Sequence, residues 1–454
     1  MNQGHVHLIA IGGSVMHNLA LALHNQGFIV SGSDDQIFEP ARSRLTNSGI
    51  CPENEGWFPE KINNKLSFVI LGMHARKDNP ELIRAQELKI PIYSFPEFIG
   101  KAYSQQLRVV IAGSHGKTTT TSMLMHVLKN TGQSFDYLVG ALLDGFREMV
   151  SLNGAKYAII EGDEYLSSCL DLKPKFLHYK PQIAVITGIA WDHYNVFPKY
   201  EDYIEAFRQL MNSMEPGSTL IYFEGDQDLK NLVNESAAHL NKIPYTEVPS
   251  RISPERTFII SDWGCYGLEI FGRHNLQNLQ AVREICTLLA IDDRSVCEAV
   301  TTFKGASKRL ELICERPNLK VFQDFAHAPS KVRATLQAVR ETFPGKRILC
   351  YLELHTFSSL NPEFIGQYKG SLASCERAII YYDLHAVQLK KMPVMEPEQL
   401  QLAFGRSDIK VFQEAHSLKM DMQSSQDDFE LILLLGSGNW GGLELRKIYN
   451  DHIV

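Results

Sequence analysis

The run Gly113-Ser-His-Gly-Lys-Thr118 gathers the groups that a polyphosphate needs. Glycines let backbone N–H groups turn inward around an anion, a helix N-terminus adds its positive end, Lys117 brings a charge, and Thr118 offers a hydroxyl to a divalent cation. Only Ser114 and His115 separate the glycines, so the loop is a shortened variant of the common G-x-x-x-x-G-K-[ST] form. The apolar run Val109-Val-Ile-Ala112 reads as a strand entering the loop. Met123, Leu124, Val127 and Leu128 mark a helix leaving it, stopped by Gly132. Glycine-lysine-threonine also occurs at plain strand-to-helix turns. Here the context points to a nucleoside triphosphate held by Gly113, Ser114, His115, Gly116, Lys117, Thr118 and Thr119.

Two further strand ends carry acids or imidazole. Tyr157-Ala-Ile-Ile160 leads into Glu161-Gly-Asp-Glu164, and Ile183-Ala-Val-Ile-Thr187 leads on to Trp191-Asp192-His193. Open α/β sheets bind ligands just beyond the carboxyl ends of their strands. A hard cation bridging phosphates wants oxygen ligands such as Thr118 and Glu161, and His193 could add a nitrogen. The plainer alternatives are a solvated acidic turn and a local hydrogen-bonded pair. Later, Phe271-Gly-Arg-His-Asn-Leu-Gln-Asn278 turns into an apolar helix; Asn275 or Asn278 either reads an adenine edge or caps that helix. Arg309, in a basic turn, either holds phosphate or faces solvent.

These residues must be positioned by alternating strands and helices. His5-Val-His-Leu-Ile-Ala10, the turn Gly12-Gly13-Ser14, a helix from about Met16 to Asn25 and Phe28-Ile-Val-Ser31 form a βαβ unit. Asp34 lies where a dinucleotide fold keeps its ribose-binding acid, but the third fingerprint glycine is missing. A strand at Leu66–Leu71 ends in Gly72-Met-His74, and a polar stretch near Gly100 to Gln106 closes the unit. The last segment repeats the alternation: Val321-Phe322 ends at Asp324-Phe-Ala-His327, Ile348–Leu352 at Glu353 and His355, Ala378–Tyr382 at Asp383 and His385, and Leu431–Leu435 at Gly436. Histidines therefore fall repeatedly just past strand ends. The expected fold is α/β with three domains: a Rossmann-like unit over 1–105, a central P-loop ATPase-like unit with a mostly parallel sheet over 106–312, and a Rossmann-like unit over 313–454.

Length agrees, since 454 residues at roughly 150 per domain suggest about three. Hydrophobic content of 44% and charged content of 21% are those of a globular protein able to bury full cores. A formal charge of -7 argues against nucleic acid as a partner. The absence of a long apolar run or a signal-like start argues for a cytoplasmic chain without membrane insertion. Eight scattered cysteines show no metal or disulfide spacing, so most are expected as small core residues in a reducing compartment.

Taken together, the loop at Gly113, Glu161-Gly-Asp-Glu164, Asp192-His193, Gly272-Arg-His-Asn275 with Asn278, Lys308-Arg309 and Asp324-Phe-Ala-His327 resemble, in order and approximate spacing, the motifs of the ATP-dependent Mur ligases of peptidoglycan synthesis. The resemblance covers nearly the whole chain. Two branches of that family take UDP-N-acetylmuramate; one adds L-alanine, the other L-alanyl-γ-D-glutamyl-meso-diaminopimelate in peptidoglycan recycling. Lys175-Phe-Leu-His-Tyr-Lys-Pro181, Trp191, Arg309-Leu-Glu311 and Asp324-Phe-Ala-His327 look more like the tripeptide branch. Ile11-Gly-Gly13 looks like the alanine branch. Leu354–Ser359 lacks the arginine expected in either, Ala328 stands where both usually have a second histidine, and Lys308 where an arginine is usual.

The resemblance implies ATP and Mg2+ as cofactors, with Lys117 on the phosphates, Thr118, Glu161 and His193 at magnesium, His274, Asn275 and Asn278 near adenine, and Arg309 and Asp324 completing the nucleotide site. It implies UDP-N-acetylmuramate in the first unit, with Gly12, Gly13, Ser14 and Asp34 near the nucleotide and His74 near the sugar or pyrophosphate. This replaces the redox-dinucleotide reading of Asp34. His327 and His355 would face the reacting groups, and Lys117, His193, His327 and Arg309 would be catalytic. The lactyl carboxylate would be phosphorylated to an acyl phosphate and then attacked by the amine of the tripeptide or of L-alanine. A monomer or weak dimer is expected. A nucleotide-gated binding protein that makes no bond is the rival from another class.

Overall fold

The computed structural model describes residues 4–194, 196–254, 256–306 and 309–450. Among the described residues four sheets carry the chain, interleaved with helices. The first is parallel, in the order Ile29–Ser33, His5–Ile9, Leu66–Leu71, Ile92–Ser94. Its core joins Ile9, Leu66, Val69 and Leu71 to Leu82 and Ala85 of the helix Pro80–Glu87. That helix starts where Asn79 accepts the N–H groups of Glu81 and Leu82 and Pro80 pre-sets the backbone.

The second sheet has six parallel strands, ordered Asn241–Tyr245, Thr219–Phe223, Ile183–Ile186, Leu107–Ala112, Tyr157–Glu161, Phe135–Leu138. Val109 to Ala112 have no exposed surface, because a central parallel strand is covered on both faces. This explains why they read as one apolar run. Ile111 pairs with Glu161 and Ala112 with Ile186. That register brings the loops after all three strands to one edge of the sheet.

A small antiparallel sheet, Ser250–Ser253, Arg256–Ser261 and Gly264–Leu268, precedes the last one. In the last, the order is Glu311–Arg316, Leu319–Asp324, Leu431–Leu435, Ile348–Glu353, Arg377–Tyr381, Lys410–Phe412; only the first pair is antiparallel. Leu431, Leu433 and Leu435 enter one core with Val332, Leu336 and Val339, while Ile432 and Leu434 enter the other with Trp440 and Tyr449. The alternation is the period of two of a strand buried on both faces.

The chain divides into two compact units: Met1–Ile189 with Tyr200–Thr246 and Ala281–Ile291, and Ala190–Lys199 with Glu247–Gln280 and Asp292–Val454. The segment carrying Asp192 and His193 thus packs with the second unit. Cys286, Cys297, Cys314, Cys350 and Cys375 are buried, Cys51 and Cys169 half-buried, and Cys265 exposed. No described helix is long and apolar enough to cross a membrane.

Candidate active site

In the first unit the phosphate loop follows the strand Leu107–Ala112 and opens the helix Lys117–Asn130. Gly113 has φ +123° and Gly116 φ +78°. A Cβ at Gly113 would stand 2.3 Å from Thr187 Oγ1 and 2.7 Å from its backbone N, so only glycine fits. The loop is tied to the neighbouring strand end: Ser114 N donates to Gly188 O at 2.9 Å, and the Thr187 hydroxyl donates to His115 O. Among the described residues the buried Ser114 hydroxyl has no hydrogen-bond partner. A glycine cradle with an unanswered hydroxyl at a helix N-terminus fits a phosphate group.

Lys117 folds back over the loop. Its Nζ donates to Gly113 O at 2.6 Å and to Glu164 Oε2 at 2.8 Å. The Glu164 side chain is fully buried, and its other oxygen accepts the Tyr203 hydroxyl at 3.0 Å. Thr118 Oγ1 donates to Glu161 Oε1 at 2.8 Å, and Glu161 Oε2 accepts Gly140 N at 2.9 Å. Thr118 and Glu161, named from sequence as oxygen ligands, are therefore neighbours. Thr119 is buried on the following turn. Glu164 and Tyr203 were not singled out from sequence. Glu164 stood in the acidic turn, whereas Tyr203 lies mid-helix in Tyr200–Ser213 and carries no local signal.

In the same unit Gly12 N donates to Asp34 Oδ2 at 2.7 Å, joining the turn to the acid some twenty residues on. Burial and the adjacent Asp35 push the Asp34 carboxyl up to about 6. Gly13 precedes the helix Ser14–Asn25, Ser14 Oγ donates to Met149 Sδ at 3.6 Å, and His74 is exposed after the strand Leu66–Leu71.

The second unit holds the remaining residues. Asp324 is buried at its strand end, accepting Ala326 N at 2.9 Å and the Thr335 hydroxyl at 3.0 Å. Burial raises its carboxyl pKa against the pull of Arg309 and His274, so these three groups share one electrostatic environment. Arg309 lies 4.9 Å over the Phe325 ring. The neighbouring Lys308 lies outside the described residues. Burial lowers the His274 pKa. Asn275 Nδ2 donates to Phe271 O at 2.8 Å at the helix entry, and buried Asn278 reaches Asn275 Oδ1 at 3.5 Å.

His327 Nδ1 lies 2.8 Å from Phe325 O. A carbonyl only accepts, so Nδ1 carries the proton and Nε2 the lone pair of the neutral ring. Burial first, and the charge of Lys331 second, press the His327 pKa down to about 4. Asp192 accepts His193 N at 2.8 Å through Oδ1 and Lys331 Nζ at 2.8 Å through Oδ2. Lys331 also escaped the sequence reading; its one available signal was a position four residues after His327 on the helix Pro329–Thr342. His355 is half-buried beside the Thr356–Ser359 turn, and burial, then Lys390, lowers its pKa.

Comparison with known proteins identifies the family. Residues 5–106 match the model described as Mur ligase family, catalytic domain, and residues 111–286 match the Mur ligase middle domain. The UDP-N-acetylmuramate–L-alanine ligase of Alkaliphilus metalliredigens is 31% identical over 87% of this chain and 86% of its own. The solved UDP-N-acetylmuramate-alanine ligase of Thermotoga maritima has a TM-score of 0.70 at 21% identity, covering 96% of both chains. The solved UDP-N-acetylmuramate:L-alanyl-γ-D-glutamyl-meso-diaminopimelate ligase of Neisseria meningitides has a TM-score of 0.59 at 25% identity, covering 66% of this chain and 98% of its own. The chain belongs to the Mur ligase family, whose members are ATP-dependent amide-bond ligases.

Proposed function

We propose that this chain joins the lactyl carboxylate of UDP-N-acetylmuramate to the amine of L-alanyl-γ-D-glutamyl-meso-diaminopimelate, with ATP converted to ADP and phosphate, in peptidoglycan recycling in the cytoplasm. The observation that carries ATP use is the glycine-walled loop with Lys117 lying across it. The tripeptide is supported by the 25% likeness to the Neisseria ligase and by the segments around Trp191 and Asp324. L-Alanine is the second reading, favoured by curated relatives such as the Alkaliphilus enzyme.

A carboxylate repels an amine and has no good leaving group, so it must be activated. The carboxylate oxygen attacks the γ-phosphorus, ADP leaves, and an acyl phosphate forms. Lys117, released from Glu164 and Gly113 O, neutralises phosphate charge during transfer. Thr118 and Glu161 would hold magnesium, which supplies further neutralisation on the phosphate oxygens. The amine then attacks the acyl carbon and phosphate departs. Nε2 of His327, neutral at physiological pH, can take the proton the amine sheds or simply orient it. Gly12, Gly13, Ser14, Asp34 and His74 are assigned to the UDP-sugar.

The test offers L-alanine and the tripeptide in parallel, with ATP and UDP-N-acetylmuramate, and reads ADP and amide product. The tripeptide should be consumed with a kcat/KM at least about tenfold above L-alanine, some 1.4 kcal/mol of transition-state discrimination. A preference for L-alanine would reassign the amine, and no amide with either would remove the ligase reading.

A further inference from the structure

Asp192 makes two different bonds with its two oxygens. Oδ2 accepts Lys331 Nζ at 2.8 Å, and the paired side chains are only 10% and 17% exposed. Oδ1 accepts the backbone N–H of His193 at 2.8 Å. His193 sits in the left-handed region at φ +53°, where a residue with a Cβ is strained and persists only if its surroundings fix it. Its carbonyl accepts Val196 N at 2.8 Å and Phe197 N at 2.9 Å, so the strained residue is held on both sides. Lys331 thus sets the carboxylate whose other oxygen holds the strained backbone.

The ten-residue segment around Asp192 has other anchors in the same unit. Trp191 and Tyr194 pack against Phe364, with ring centroids 6.5 and 5.5 Å apart, and the Tyr194 hydroxyl reaches Glu363 at 3.3 Å. Losing the lysine would therefore leave the segment docked and release only the rotamer of Asp192. Lys331, near the start of the helix Pro329–Thr342, also carries a charge that acts on His327, which lies just before that helix. One side chain on this helix consequently bonds the support of His193 while its charge reaches His327.

We propose that Lys331 is a positioning residue of the ligase reaction: through Asp192 it fixes the backbone of His193, and from its own helix it keeps His193 and His327 in one constellation. The proposal rests on the ligase reading, in which the family resemblance makes both His193 and His327 catalytic. A lysine is suited to this because its amine reaches a single carboxylate oxygen and leaves the other for the His193 amide. Arginine can supply the charge at a similar reach, glutamine a weaker donor without charge, and methionine only the length.

The experiment compares Lys331→Arg, Lys331→Gln and Lys331→Met in the full chain, each assayed well below its own melting temperature. Expected is kcat falling in the order Arg, Gln, Met, with Met reduced by about thirtyfold or more while KM for ATP and for UDP-N-acetylmuramate stays within about twofold. Hydrogen exchange at the amides of His193, Val196 and Phe197 should accelerate about tenfold in Lys331→Met and stay near wild type in Lys331→Arg. A bridge that served stability alone would lower the melting temperature and leave kcat unchanged; that result overturns the proposal, as does unchanged exchange at His193. If Lys331→Met does not fold, Lys331→Gln against Lys331→Arg carries the same comparison. Should the wild type make no amide at all, the ligase reading fails, and the exchange data alone decide whether Lys331 holds His193.

Discussion

The phosphate loop and the histidine cluster of the second unit use opposite means. Around Gly113 the backbone makes the site: positive φ angles and close approach to Thr187 aim N–H groups, and side chains enter through Lys117 and Thr118. Around His327 the site depends on side chains held one by one: the Phe325 carbonyl sets the tautomer of His327, Lys331 holds the Asp192 carboxylate, and Asp192 holds the His193 amide. A backbone site tolerates almost no change at its glycines. A side-chain site degrades in steps.

The largest effect should come from Lys117→Ala, with ADP formation reduced by about a thousandfold or more while UDP-sugar binding persists. This variant also strands the fully buried Glu164, so its melting temperature should drop. Adding Glu164→Gln should recover stability without activity, separating the two roles in one thermal scan and one ADP assay. Gly113→Ala comes next. The added Cβ meets Thr187 at 2.3 Å, and ATP affinity should fall about a hundredfold by calorimetry with the first sheet unaffected. His327→Gln should slow amide formation by about a hundredfold yet still release ADP in a first-turnover burst, because the acyl phosphate forms before the histidine acts. Loss of the burst as well would show that the two regions are not separable.

A smaller effect lies in pH. The His327 pKa falls from 6.5 to about 4 on folding, so its contribution to stability is intact above pH 6.5 and is lost as pH drops toward 4. Asp34 has the opposite sign: raised from 3.8 to about 6, it contributes stability in acid that is lost as pH rises through 6. Lys331, Asp192 and Arg309 are the charges acting on His327, and Asp35 the one on Asp34. The fall in melting temperature between pH 7 and 4.5 should therefore become shallower in His327→Gln and steeper in Asp34→Asn. The same direction in both would contradict the assigned environments.

The two regions also differ in how far the sequence discloses them. The strands Leu107–Ala112 and Leu431–Leu435 are legible because burial on both faces demands unbroken apolar runs. Gly113 and Gly116 are legible because positive φ nearly demands glycine, so backbone geometry leaves a mark on spacing. Asp192 and Lys331 lie 139 residues apart and join only when the chain folds; nothing local marks the lysine. Tyr203 is equally silent, being one aromatic on a helix whose hydroxyl happens to reach Glu164. The division of Ala190–Lys199 from the strand it follows was likewise not legible, since it depends on Trp191 and Tyr194 finding Phe364.

The central claim is that the carboxylate is activated as an acyl phosphate, and oxygen-18 follows that step directly. UDP-N-acetylmuramate labelled in its lactyl carboxylate, turned over with ATP and the tripeptide, should deliver label into the released inorganic phosphate, because the bridging oxygen leaves with phosphorus when the amine attacks. Phosphate free of label, with ADP still produced, would mean that water and not the carboxylate received the phosphoryl group, and would contradict the account.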